Sequence, residues 1–236
     1  MIAHIINNIV AIHGIGAHPF HTWSYWDPVK RTARNWLRDD DMLPRDLPRA
    51  CIMIFGYRSE WKGKRSSDLT FAEVSKRLLD SLARDRMVQN PHVITSQGYE
   101  DRSVVFVAHC VGGLVLVWIL LTAYHDEMYD NKWLLLFIST LGIVFMGTPF
   151  RGGHGTLANG EILSTAQRQI DSLKDEKREA HTIKRILEIL TPGNEILFSL
   201  MGDFLSSQNQ LMPQMLCLYE IVFQCLENRQ SEPRQG

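Results

Sequence analysis

The chain has 236 residues, a length that suits one large α/β domain better than two small ones. Hydrophobic residues make up 45% and charged residues 22%, so a substantial core can form. The formal net charge is −1 with both signs mixed along the chain, which excludes the basic stripe of a nucleic-acid-binding protein.

In chain order, Ile9-Val10-Ala11-Ile12 is an apolar run of the kind buried on both faces of a parallel sheet, and it stops at His13-Gly14-Ile15-Gly16. Asp27-Pro28 reads as an N-cap followed by a first helical residue, predicting a helix to about Arg38. Residues 50–55 form the second predicted strand, stopped by Gly56. From Leu69 to Met87 the period is helical, with Phe71, Val74, Leu78, Leu79 and Leu82 on one face. Residues 103–108 are the third strand, residues 111–125 a helix, and residues 142–146 the fourth strand, leading into Gly147-Thr148-Pro149. Residues 161–207 read as two or three amphipathic helices broken at Thr191-Pro192-Gly193-Asn194. Residues 215–220 form a fifth strand, and residues 226–236 a polar tail after a single domain spanning 1–225.

Alternating strands and helices imply βαβ crossovers and a mostly parallel sheet with helices on both faces. Chemistry in such sheets gathers beyond the carboxyl ends of the strands. His13, Gly14, Gly56, Cys110, Gly147 and Glu220 all follow or close predicted strands, so they are expected on one rim. The runs at 103–124 and 133–146 are read as core strand and helix, not as membrane spans. Residues 1–12 carry neither a basic segment nor a small-residue cleavage site, so no signal peptide is expected. Of four cysteines none forms a Cys-x-x-Cys pair, and Cys51 and Cys217 in apolar runs are expected to be buried thiols. The expected location is intracellular.

Val104 to Leu114 has the layout of a nucleophile elbow. An apolar strand breaks at small residues and restarts as a helix. Ala108 and Gly112, two before and two after position 110, satisfy the steric demand of that turn. The residue at the apex, where serine is usual, is Cys110. A thiolate at a helix amino end is favoured by the macrodipole and by nearby amides, so Cys110 is expected to have a lowered pKa if it is a working nucleophile.

Several segments together resemble one family. Residues 11–19 (Ala-Ile-His-Gly-Ile-Gly-Ala-His-Pro) with Thr22-Trp23, then Ile54-Phe55-Gly56-Tyr57-Arg58-Ser59, the elbow, and residues 145–153 occur in order. The combination is similar to the α/β-hydrolase domain of serine-active-site-containing, lipase-like proteins. Related domains stand at the N-terminus of many fungal receptor proteins with NACHT, ankyrin or tetratricopeptide regions. The likeness runs from about Ile9 to Gly153 and weakens towards Glu220. Two departures stand out. The family's Gly-His-Ser-Leu-Gly-Gly is Ala108-His109-Cys110-Val111-Gly112-Gly113, and Phe150 replaces the histidine of its Gly-Thr-Pro-His-Arg-Gly.

The resemblance implies an esterase or lipase-like acyl hydrolase needing no cofactor or metal, acting on a small-molecule or lipid ester. It puts oxyanion donors at the amides of Ile15-Gly16 and of Val111, which a cysteine for serine exchange leaves intact. The acid falls at Glu220, with an ordinary strand-terminal carboxylate as the alternative. Hydrolases of this fold order nucleophile, acid, histidine, but all nine histidines lie at or before His181. His154, after the fourth strand, is the candidate substitute base. His109 is expected to pack away from the site, and His13 and His18 to shape the glycine turn. Arg151 is a candidate for an anionic group or a structural loop arginine. Trp23 lines an acyl pocket or packs in the core.

Other motifs fail. A dinucleotide fingerprint from Gly14-x-Gly16 would put Pro19 at its third glycine, and a P-loop at Gly56 to Lys64 has six residues between its glycines where four are needed. Pro19 prevents His18 and His21 from a helical metal-binding arrangement. With no histidine after Glu220 to complete the triad, the last strand and histidine loop of the family are expected to be lacking: either the sequence is C-terminally truncated, or the fifth strand is an edge that a protein partner covers. Two functions stay open: an acyl hydrolase with Cys110 as nucleophile, and a catalytically inactive hydrolase-like binding or signalling module. Peripheral membrane contact is left open as well.

Overall fold

The computed structural model describes residues 6–14, 17–57, 71–88, 103–125, 132–152, 189–191, 193–211 and 213–218. Five strands form one parallel sheet: β1 (Ile6–Ile12), β4 (Cys51–Phe55), β5 (Ser103–His109), β6 (Thr140–Met146) and β7 (Gln214–Leu218), in the order β4-β1-β5-β6-β7. Two short strands, β2 (Ser24–Asp27) and β3 (Thr32–Asn35), pair antiparallel as a separate ribbon. The helices are α1 (Leu43–Asp46), α2 (Phe71–Val88), α3 (Gly112–Tyr124), α4 (Lys132–Ile138) and α5 (Glu195–Leu211).

The strands follow their two-residue period. Val10, Ile12, Val104, Phe106, Ala108, Ile143 and Phe145 point to one face and pack with α2, α3, α4 and α5. Ile9, Ala11 and Val107 point to the other, where they meet Trp23, Leu37, Leu43 and Leu47. Helical segments therefore lie on both faces, the second carrying only short ones among the described residues: α1 and the 3-10 turn His21–Trp23. Helix α3 is buried on nearly every side, which explains its unbroken apolar sequence.

The region from Asp27 to Arg38 is not a helix. Asp27 Oδ1 accepts hydrogen bonds from the Val29 and Lys30 amides, as an N-cap would, but the chain turns back into β3. An aspartate folded onto the next amides starts a turn as readily as a helix. What decides is Trp23, buried with Leu37 against the sheet, with Trp36 packed beside them. Residues 132–138 are a helix and the strand after them begins at Thr140, two residues earlier than expected. The break at 191–194 falls where expected, with α5 starting at Glu195, while residues 161–188 lie outside the described residues, as do 219–236. Cys217 is exposed, not buried: among the described residues β7 is an outer strand of the sheet, and all five of its residues are exposed. Among the described residues no helix is long and apolar enough to cross a membrane.

The strand order places the rim where the candidate residues gather. From β1 the chain moves outward to β4, then returns across β1 to β5, so the direction of travel reverses between β1 and β5. A crevice opens beyond the carboxyl ends of two strands at such a reversal. Its walls are close. A Cβ on Gly112 would lie 2.5 Å from the His13 carbonyl oxygen and 2.6 Å from that of Ile12. Alanine at 112 would gain about 1 kcal/mol of helix propensity, but two backbone carbonyls cannot yield. Gly112→Ala should therefore destabilise by about 1–3 kcal/mol. Gly202→Ala, on an open face of α5 with nothing near its Cβ, should stabilise by about 0.5–1 kcal/mol. Urea midpoints of the two variants, moving in opposite directions, check the pair.

Candidate active site

Strand β5 ends at His109 and α3 starts at Gly112, leaving two residues for the reversal. Cys110 makes it in the left-handed region, at φ 52°. For a residue bearing a Cβ this costs on the order of 1–3 kcal/mol and persists only where its surroundings fix it. They do. The Cys110 N–H donates to Met146 O at 2.8 Å, the Gly113 N–H donates to Cys110 O at 3.0 Å, and the Leu114 and Val115 amides close onto Val111 O. Gly14 leaves room for the side chain, since a Cβ there would sit 2.9 Å from Cys110 Cβ. Thr148, on the exit of β6, packs its side chain onto Gly113. Three strand ends thus converge on one turn.

The Cys110 side chain is half-buried. The neighbouring Val111 amide favours the thiolate, but burial outweighs it and pushes the Cys110 thiol above its ordinary pKa. The cause is the apolar packing around it by Val111, Leu114, Leu190, Leu197, Phe150 and Ile189. The lowered pKa expected of a helix-terminal thiolate is therefore not found: removal from water wins over the macrodipole.

His13 and Tyr57 form the opposite wall. His13 is fully buried, and its Nδ1 lies 2.8 Å from Gly14 O, so that nitrogen carries the proton and donates. Its Nε2 then accepts from the Tyr57 amide at 3.3 Å, and the Tyr57 hydroxyl donates to His13 O at 2.8 Å. The two rings stack at 4.4 Å and 14°. With both nitrogens committed, His13 serves as a brace of the turn, as expected, and not as a base. Burial raises the Tyr57 pKa, and the nearby charge of an ionised Cys110 raises it further.

The remaining candidates divide three ways. Val111 stands in the first turn beside the sulfur. Arg151 is exposed in the loop after β6, on the same rim. Trp23 is 1% exposed within the second core, edge-on to Trp36 and to His109, the environment of a packed core residue. His109 packs against Trp23. His18 Nδ1 accepts from the Phe20 and His21 amides, shaping the loop after β1. Ile15, Gly16, His154 and Glu220 lie outside the described residues. Among the described residues no group of three or more metal-binding side chains comes together.

Tyr57 is the residue that sequence reasoning missed as part of the site. Its signal was its place, two residues past a strand end that faces the same rim. An elbow at φ 52°, lifted by a parallel sheet into its switch-point crevice, is the architecture of an α/β-hydrolase fold.

No family model matches the chain, and no curated protein sequence does. Solved structures similar to it include esterase B from Lactobacillus rhamnosis inhibited by a tributyrin phosphonate, at 13% identity and a TM-score of 0.40. That match covers 92% of this chain and 65% of the esterase. A monoacylglycerol lipase from Paleococcus ferrophilus matches at 14% identity and a TM-score of 0.38, over 90% of this chain and 72% of the lipase. A lipase from Bacillus licheniformis matches at 14% identity and a TM-score of 0.35, over 90% and 65% of the two chains. The chain thus spans about two-thirds of the length of the first of these.

The thiol's raised pKa gives a pH dependence with a definite sign. Below about pH 8.5 the thiol is neutral in both folded and unfolded chains, and its contribution to stability is complete. As pH rises further the unfolded chain loses its proton first, so stability declines until the folded thiol also ionises. Tyr57 adds a decline of the same sign from about pH 10. Urea midpoints followed from pH 7 to pH 10 should fall more steeply for the wild type than for Cys110→Ala.

Proposed function

We propose that the chain is an acyl-hydrolase scaffold of the esterase or lipase type in which Cys110 is the acyl-accepting atom and turnover is weak. The observation that carries this reading is the strained left-handed turn that sets Cys110 between the end of β5 and the start of α3. In the reaction the thiol gives its proton to a base and the sulfur attacks the ester carbonyl carbon. A C–S bond forms while the carbonyl electrons move to oxygen. The amides of Val111 and of Ile15-Gly16 hold that oxyanion. Its collapse breaks the C–O bond, and the departing alkoxide takes up the proton. Water then cleaves the thioester, releasing a carboxylic acid and restoring the thiol. His154 is the base in this scheme, oriented by Glu220, and Arg151 meets an anionic part of the substrate. A raised thiol pKa keeps the sulfur protonated near neutrality, which is why turnover is slow.

One observation favours a second reading. The same burial that protonates Cys110 suits a catalytically silent, intracellular binding or signalling module. As such it would be the domain, through about residue 225, of a larger receptor-type protein like the fungal ones it resembles.

An activated short-chain ester separates the two. The enzyme reading expects slow product release and an acyl adduct on Cys110 by intact-mass measurement, both lost in Cys110→Ala. Equal rates in the wild type and Cys110→Ala would remove Cys110 as nucleophile. The silent module expects no adduct, and no turnover in Cys110→Ser either.

A further inference from the structure

The leaving group, more than the attack, decides which acyl donors Cys110 can use. Once a sulfur has added to a carbonyl carbon, the tetrahedral intermediate holds two groups that can depart, and the less basic one leaves faster. With an oxygen ester the rivals are the Cys110 thiolate and an alkoxide. The alkoxide is far more basic, so the intermediate returns to substrate unless an acid protonates that oxygen as it goes. With a thioester both rivals are thiolates, and no acid is needed.

Among the described residues the protons on the crevice walls are already engaged. The His13 Nδ1–H is held by Gly14 O at 2.8 Å, and Nε2 accepts the Tyr57 amide at 3.3 Å. The Tyr57 hydroxyl donates to His13 O at 2.8 Å, and burial raises its pKa, so it keeps that proton. The Thr148 hydroxyl, buried against Gly113 without a hydrogen-bond partner, is an alcohol, as weak an acid as the alcohol that would have to leave. The sulfur itself is packed among Val111, Leu114, Ile189, Leu190, Leu197 and Phe150, all apolar. That shell also decides between two sulfurs. Burial lifts the Cys110 thiol above its ordinary pKa, so its thiolate is more basic than that of an alkyl thiol in water. On a carbon bearing both, the substrate's thiolate departs and the acyl group stays on Cys110. Apolar surroundings that disfavour a charged sulfur do not disfavour a neutral, acylated one.

We propose that the acyl donor for Cys110 is a thioester, a substrate class that rests on the reading of Cys110 as the acyl-accepting atom. The Cys110 thiol loses its proton and the sulfur attacks the thioester carbonyl carbon, forming a C–S bond as the carbonyl electrons move to oxygen. Collapse breaks the substrate's own C–S bond. The departing thiolate takes up the proton that Cys110 released, so the exchange is balanced without a further acid. Water then cleaves the acyl–Cys110 bond, giving a carboxylic acid and the restored thiol.

Butanoyl donors that differ only in the leaving group test this on the full chain: ethyl butanoate, S-butanoyl-N-acetylcysteamine and p-nitrophenyl butanoate. Acyl adducts are timed by intact mass and located by peptide mapping of the wild type, so the result does not hang on whether Cys110→Ala folds. General acid help contributes about 10²–10⁴-fold, so Cys110 should be acylated at least about a hundredfold faster by the thioester than by the ethyl ester. The adduct should be lost in Cys110→Ala and kept in Cys217→Ser, where the exposed thiol of β7 is removed. The p-nitrophenyl ester, whose leaving group needs no acid, separates this proposal from the reading beneath it. An adduct on Cys110 from that ester with any smaller ratio between the other two overturns the thioester proposal and leaves Cys110 as acyl acceptor. A thioester adduct on Cys217 alone overturns it as well. No adduct on Cys110 from any of the donors overturns both. An S-butanoyl cysteinyl peptide in place of the cysteamine thioester tells a protein-borne donor from a free one, by which of them acylates Cys110 faster.

Discussion

The close approach between the exit of β1 and the start of α3 is the constraint on which the rest of the molecule depends. Two glycines make it. Gly112 lets the helix rest on the carbonyls of Ile12 and His13, and Gly14 lets the β1 exit pass under Cys110. Without that contact the left-handed residue at 110 would lose the packing of the β1 exit beneath it, and only the hydrogen bonds to Met146 O and within the turn would be left to offset its strain. Burial of α3 between the sheet and three other helices then fixes the elbow from behind.

The same packing sets the chemistry of the thiol. A helix amino end with a neighbouring amide is a setting that favours a thiolate, and this chain supplies it through Val111. Side chains from α3, α5 and the segment before α5 close around the sulfur and remove the water that would stabilise a charge. On the other wall His13 is held in one neutral tautomer between Gly14 O and the Tyr57 amide. The turn has the geometry of an elbow, while its surroundings are set against spontaneous ionisation of the thiol.

Much of the sheet was legible from the sequence because buried parallel strands are short apolar runs ended by small residues. Val10 and Phe106 fall in such runs, and the elbow between Ala108 and Gly112 follows from steric need alone. The hairpin was not legible. Asp27-Pro28 has the same local chemistry at the start of a turn as at the start of a helix, and the choice rests on Trp23 and Leu37 meeting Ile9, Ala11 and Val107 across the sheet. That is a tertiary contact, invisible to a local pattern. Trp23 was half-legible: an aromatic residue near a strand end suits a pocket or a core, and only its burial decides. The sign of the thiol's pKa shift was misread for the same reason. The macrodipole follows from position in the chain, whereas desolvation comes from Leu190 and Leu197, some 80 or more residues further on.

The elbow is also tied sideways. Met146 O holds the Cys110 amide, and one residue later the Gly147 amide is held by Leu218 O at the end of β7. Both bonds belong to the one peptide unit between Met146 and Gly147, so the end of β7 and the backbone that carries the sulfur share a single rigid plane.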